Sequence, residues 1–162
     1  MVLENVLRCV FRNSEIIMPN LTRIDVVTAF LESDGQILIL RRSNQVKTMK
    51  EKWGAVSGYL ETNDPLRQAV VEIHEETGLD SSKIQLIRSG NALEAVDPEN
   101  PEILYNVHPY LFHSRSRRIR LSREHDRFEW IHMNDLRRYD TVPKLKEAYE
   151  SVATEASHTS SY

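Results

Sequence analysis

The stretch WGAVSGYLETNDPLRQAVVEIHEETGL, residues 53–79, decides the fold. Its second half reads as one helix. Asp64 offers an N-cap oxygen. Pro65 falls at the first helical position, where its fixed φ suits the helix and its missing N–H is not needed. Gly78 marks the C-terminal stop. At about 100° per residue, Leu66, Ala69, Val70, Ile73 and Thr77 share one side and predict a stripe facing the core. Glu72, Glu75 and Glu76 fall together on the flank away from that stripe, because positions i, i+3 and i+4 are helix neighbours. Carboxylates so close repel one another, and late in a helix they also oppose its dipole. No lysine or arginine stands i±4 from all three. A Glu-rich helical flank is most often a solvated acidic face. A hard divalent cation resolves the repulsion in another way, since magnesium binds carboxylate oxygens and typically bridges to phosphates. The first half of the stretch, residues 53–58, holds small residues between glycines and predicts a strand that ends where backbone is closely approached.

Working outward, residues 24–32 (IDVVTAFLE) and 36–42 (QILILRR) are β-branched-rich and flank Ser33-Asp34-Gly35, a hairpin signal. Residues 5–11 form a weaker strand candidate. Residues 43–52 are polar and basic without a period and read as a loop. Beyond the helix, strands are expected at 84–88, 103–113 and 127–132, a short helix at 133–138 and an amphipathic helix at 142–154. The small, polar run 155–162 reads as a disordered tail. Residues 92–102 (ALEAVDPENPE), acidic and with two prolines, read as a long loop, the kind that often carries function. Strands before, between and after helices predict an α/β or α+β protein with a mixed sheet. One domain over residues 1–154 is expected, with 1–20 an N-terminal extension or strand.

Composition narrows the function classes. A chain of 162 residues can bury a sizeable core without staples. Its net charge of −3 argues against broad binding to duplex nucleic acid, which needs a basic surface. The single cysteine, Cys9, excludes an internal disulfide and any multi-cysteine metal site, and reads as a small packing residue. No run reaches the roughly 18 apolar residues of a membrane span. The first residues lack an uninterrupted apolar segment, so a signal peptide is not expected. A cytoplasmic protein follows. The six histidines show no metal-ligand spacing, and His74 reads as surface.

The stretch resembles the Nudix hydrolase family. That family's box runs Gly, five residues, Glu, seven residues, Arg-Glu, an aliphatic, any residue, Glu-Glu, any residue, Gly and an aliphatic. Residues 72–79 (EIHEETGL) match its last part position for position, and Trp53-Gly54 and Ala69 also fit family habit. Val71 stands where the family has its arginine, which usually orients a metal-binding glutamate. Ser57-Gly58 stands for the glycine pair, and the stretch from Gly58 to Glu72 is one residue shorter than the pattern. The resemblance implies an α/β/α sandwich around a central mixed sheet. It implies hydrolysis of a nucleoside diphosphate linked to another group X, with Mg²⁺ or Mn²⁺ held by Glu72, Glu75 and Glu76. One of these, or a glutamate on a later loop, is the general base, with Glu72 and Glu76 the better candidates. Gly58 would let backbone approach the phosphates, and Glu61 aligns with a glutamate often found just after the glycines. Arg41 and Arg42 are candidates for substrate phosphate, and Glu124 for the metal's surroundings. Each also reads as an ordinary surface charge.

Other residues divide between readings. Trp130 reads as core rather than base-stacking, and Tyr105 and Tyr110 as either. Residues 115–123 hold five arginines and read as an exposed hairpin end or as a docking patch for phosphates or RNA. The substrate is expected to be a small nucleotide diphosphate, and capped RNA ends stay among the candidates. Relatives dimerise, so a homodimer through residues 1–20 is open. A second function class is a nucleotide-binding regulatory module of the same fold, favoured by Val71 and the shortened loop. The clustered glutamates favour the hydrolase. An isoprenoid diphosphate isomerase needs a catalytic cysteine near the sheet, and Cys9 lies far in sequence from the box.

Overall fold

The computed structural model describes residues 20–153. The expected strand at 5–11, the packing role of Cys9 and the disordered tail lie outside them. The hairpin forms as expected. β1 (Thr22–Ser33) turns at Asp34 and Gly35, both at positive φ, into β2 (Gln36–Arg42). The single strand expected at 53–58 is two, β3 (Trp53–Gly54) and β4 (Val56–Tyr59). β3 pairs with β2, and β4 pairs with β1. Helix α1 (Pro65–Thr77) follows, then a 3₁₀ turn at Ser81–Lys83 and β5 (Ile84–Ser89).

The acidic segment 92–102 is not all loop. Leu93–Val96 form β6, because the long strand β7 (Ile103–Ser114) offers them a ladder from Leu104 to Val107. β8 (His125–Ile131), a 3₁₀ turn at Met133–Arg138 and α2 (Leu145–Ala153) complete the order. α2 starts three residues later than expected. Pro143 bars a helical conformation in the residue before it, and Lys144 takes φ 64, which breaks any helix there.

All eight strands join one sheet, with β3, β2, β1, β7 and β5 in spatial order. β1 and β7 run parallel from Thr22↔Ile103 to Glu32↔His113, while the other pairs are antiparallel, so the sheet is mixed. A parallel central pair needs both faces covered, and both are. Val27, Leu31, Leu38, Val56 and Phe112 pack with Ala69 and Ile73 of α1 on one face. Phe30, Ile37, Ile39 and Leu111 pack with Leu145, Ala148 and Val152 of α2 on the other. The result is the expected α/β/α sandwich.

The arginine-rich segment is not a hairpin end. Residues 115–121 run as a strap past the C-terminal end of α1. The Arg120 N–H donates to the Thr77 carbonyl, and Ile119 and Leu121 pack against the α1 core. Arg117 stacks over Trp130 at 4.6 Å and donates to the Ser33 carbonyl. Trp130 is thus a packing residue. Among the described residues no helix is long and apolar enough to cross a membrane.

Candidate functional site

α1 is built by the local signals. The Asp64 carboxylate accepts from the Arg67 N–H at 3.0 Å, and Gly78 closes the helix at φ 74. Of its predicted core stripe, Ala69, Ile73 and Thr77 are buried, and Leu66 and Val70 pack partly buried against the same core. The flank beside that stripe is not solvated throughout. β4 and the residues after it run alongside α1, so every fourth helical residue meets them. The Ser57 N–H donates to Glu76 Oε2 at 3.3 Å, and the Glu61 N–H to Gln68 Oε1 at 3.4 Å. Between these contacts Gly58 lies against Glu72. A Cβ at position 58 would stand 2.2 Å from Glu72 Cδ, so only glycine leaves room for that carboxylate.

The glutamates therefore differ. Glu76 is 2 % exposed, Glu72 is half-buried and Glu75 is exposed. Burial, reinforced by the charges of Glu75, Glu124 and Glu61, pushes the Glu72 carboxyl up to about 7 against the opposing hydrogen bond from Gln68. Burial pushes Glu76 well above the ordinary carboxylate range, and the charges of Glu72 and Glu124 push the same way. Gln68 Nε2 donates to Glu72 Oε1 at 3.0 Å. It gives Glu72 an orienting donor, whereas Val71 is exposed and supplies none. The wheel hides Gln68 among surface positions, yet its place i−4 to Glu72 was a usable signal.

Gly58, Glu61, Glu72, Glu75, Arg42 and Glu124 line one cleft of about 590 Å³, with Glu76 buried beside it. Arg41 is not brought there. It forms a bidentate pair with Asp126, both contacts 2.8 Å. Arg42 points the other way, its guanidinium donating to the Thr48 carbonyl at 3.1 and 2.9 Å. Opposite Arg42 on β8 is His125, 7 % exposed and with its Nδ1 unpartnered. Burial first, and the Arg42 charge next, lower its pKa to about 4, so the ring is neutral near pH 7. His74 is exposed, as expected.

The cleft's far wall has little signature in the sequence. It includes Val26, Ala95, Tyr105 and Val107. The Tyr105 hydroxyl donates to Asp97 Oδ2 at 2.7 Å, and Asp97 is wholly buried, its other oxygen accepting from the N–H groups of Glu99 and Asn100. Tyr110, on the opposite face of β7, packs with Phe112 on the α1 side.

Among the described residues no three His, Cys, Asp or Glu side chains stand close enough together to hold a metal as they are. The donor set still suits a hard cation. It is all carboxylate, on one helix flank and the facing loop, and its charges raise one another's pKa with Arg42 as the opposing cation.

No curated protein sequence matches this chain. Solved structures do match in fold. A NUDIX hydrolase from Nitrosomonas europaea is 18% identical with a TM-score of 0.65, over 80% of this chain and 88% of that one. A MutT NUDIX hydrolase from Burkholderia pseudomallei is 24% identical with a TM-score of 0.61, over 80% and 98%. A C. elegans Ap4A hydrolase, solved as a binary complex, is 15% identical with a TM-score of 0.62, over 79% and 93%. The NUDIX domain model matches residues 21–152, which span the whole sandwich and every cleft residue named above, so the chain belongs to the NUDIX domain family.

Proposed function

We propose that this protein hydrolyses a phosphoanhydride bond in a nucleoside diphosphate linked to a further group X. The observation that carries this reading is the contact of Gly58 with Glu72, which turns one half-buried carboxylate of a crowded set toward a cleft large enough for a nucleotide. Glu72, Glu75 and Glu76, with Glu124 across the cleft, would hold Mg²⁺ or Mn²⁺. When bound, such an ion polarises phosphoryl oxygens and lowers the pKa of water.

The chain's own groups do the rest. Gln68 fixes the Glu72 carboxylate, and the Ser57 N–H fixes that of Glu76. Glu72, half-buried at the cleft and oriented by Gln68, is one candidate for the general base. Glu76 is the other candidate for that role. Arg42 supplies positive charge for substrate phosphate on giving up the Thr48 carbonyl. Arg41 is committed to Asp126 and contributes through the fold. Gly58 keeps the approach to Glu72 clear.

The test is product release from a panel of nucleoside diphosphate derivatives, with Mg²⁺, with Mn²⁺ and with EDTA. Metal-dependent release from one class establishes the hydrolase and narrows X. Tight nucleotide binding with no release from any of them would replace the proposal with a nucleotide-binding module.

A further inference from the structure

The cleft's far wall offers an apolar floor. In register across the sheet, Val26 stands between Tyr59 of β4 and Val107 of β7, and all three line the cleft. Ala95 of β6, opposite Tyr105, extends the same surface. Tyr59 is 59% exposed, an aromatic ring left open at the rim. Two residues along β1 on the same face is Thr28, opposite Ser57 and also lining the cleft. Thr28 is 9% exposed. Among the described residues its hydroxyl has no hydrogen-bond partner, yet it is not sealed away: the sealed side-chain atoms without a partner are His125 Nδ1 and Trp130 Nε1. A hydroxyl nine-tenths buried, unpartnered and open to a cleft points to a polar ligand there, because buried polar groups are otherwise hydrogen-bonded.

Another polar atom of this wall has its direction fixed. The Tyr105 hydroxyl donates to Asp97 Oδ2 at 2.7 Å. Asp97 is wholly buried, and its Oδ1 accepts from the N–H groups of Glu99 and Asn100 at 2.8 and 3.1 Å. Burial pushes the Asp97 carboxyl up, but these three hydrogen bonds outweigh it and hold the group below its ordinary value. Asp97 is therefore ionised near neutral pH and can only accept. The single Tyr105 proton is committed to it. What the phenolic oxygen has left for the cleft is a lone pair. Arg42, also in the cleft, directs its guanidinium at the Thr48 carbonyl and does not take that lone pair.

We infer that this wall is the nucleobase pocket and that Tyr105, held as an acceptor by Asp97, selects bases that carry an exocyclic amino group. The face of the base lies on Val26, Val107 and Tyr59. Its amine donates to the Tyr105 oxygen. Thr28, whose hydroxyl can donate or accept, meets a polar atom of the nucleoside that does not depend on the amine. Adenine and cytosine present such a donor. Hypoxanthine and uracil put a carbonyl oxygen in its place, lone pair against lone pair. A site built to bond an N–H rejects a base without it more strongly than an apolar slot can. The inference deepens the proposed function by naming the nucleoside half of the substrate, and leaves X open. It rests on the cleft being the substrate site, and its test uses neither metal nor turnover, so that the two fail separately.

The experiment titrates the metal-free protein with adenosine and with purine riboside, which differs only in lacking the 6-amino group, and follows backbone amides by NMR. Saturable shifts are expected at Val26, Ala95 and Val107, with adenosine bound about tenfold more tightly, the size of one hydrogen bond. Tyr105→Phe should abolish that preference. Asp97→Asn is the second variant. Its amide oxygen still accepts from Glu99 and Asn100, and its NH₂ donates to Tyr105, so the phenol proton turns to the cleft. Adenosine should lose its advantage there, and inosine, with its 6-carbonyl, should gain on it. Thr28→Val keeps the shape and should weaken both nucleosides severalfold. The absence of saturable shifts at the wall, equal affinity of the two nucleosides for the wild type, or a preference that survives in either the Tyr105 or the Asp97 variant overturns the inference. Unchanged affinities in Thr28→Val overturn the placement of the nucleoside on this wall. Hydrolysis of nucleoside diphosphate derivatives without any such preference would leave the proposed function standing and remove this pocket from it.

Discussion

At the scale of single residues, Gly58 and Glu76 make opposite demands. A methyl group at position 58 meets only the end of the Glu72 side chain, which can swing aside. Gly58→Ala should therefore leave the metal-free melting temperature within a few degrees of wild type. Moving that carboxylate should weaken Mg²⁺ binding roughly 10-fold or more, as displaced ligands do. Calorimetric titration checks this, and unchanged affinity would falsify the role given to Glu72. Glu76 instead burdens the fold. Its pKa and that of Glu72 lie above the ordinary 4.5 in the folded state, so the native protein binds more protons than the unfolded chain. Metal-free stability should fall as pH rises from about 4.5 through about 7, the value reached by Glu72, and level off once both states are ionised. Glu76→Gln keeps an acceptor for the Ser57 N–H and removes the charge. It should flatten that decline and raise the melting temperature near neutral pH by a few degrees, on the order of 1 kcal/mol or more. A steeper decline in the variant would show that the buried carboxylate is not the cause. Mg²⁺ should restore stability mostly at the high-pH end, because its ligands must first lose their protons.

At the scale of elements, what was legible in the sequence was what a segment settles within itself. The α1 boundaries follow from Asp64, Pro65 and Gly78, and its core stripe from the helical period. Asp64→Ala should cost about 1 kcal/mol, read as a lower denaturant midpoint, because the Arg67 N–H loses its acceptor. A midpoint unchanged from wild type would mean that the cap is redundant. The inward turn of Gln68 and Glu76 was not legible, since it depends on β4 running beside the helix after pairing with β1. For the same reason Leu93–Val96 look like loop in sequence and are strand in the fold: a neighbouring strand, not their own propensity, decides it. The arginines at 115–123 show charge as the dominant pattern, yet Ile119 and Leu121 fix the strap's path by entering the core.

At the scale of the whole molecule, the two ends of the cleft differ in how they are encoded. The acidic end comes largely from one contiguous motif and was readable. The rest is assembled from β1, β6, β7, the segment 45–49 and the start of α2, far apart in the chain, so no local pattern announces it. Segment 45–49 is the least regular of these parts. Met49 at its end and Glu51 just beyond it hold φ 51 and φ 64, conformations that persist only where surroundings enforce them. The enforcement is visible. Arg42 exchanges backbone hydrogen bonds with Lys52 and Glu51 and grips the Thr48 carbonyl, while the Met49 N–H donates to Glu99 Oε2 at 3.1 Å. Glu99 lies on the turn that buried Asp97 organises, so the β6–β7 turn ties down one wall of the cleft without lining it. Glu99→Ala removes that tie and touches none of the glutamates. KM should rise roughly threefold to tenfold, about one charge-assisted hydrogen bond, with kcat close to wild type. Steady-state kinetics on whichever substrate the panel identifies decides it. A fall in kcat at constant KM would mean that segment 45–49 positions the reacting bond and does not merely hold the substrate.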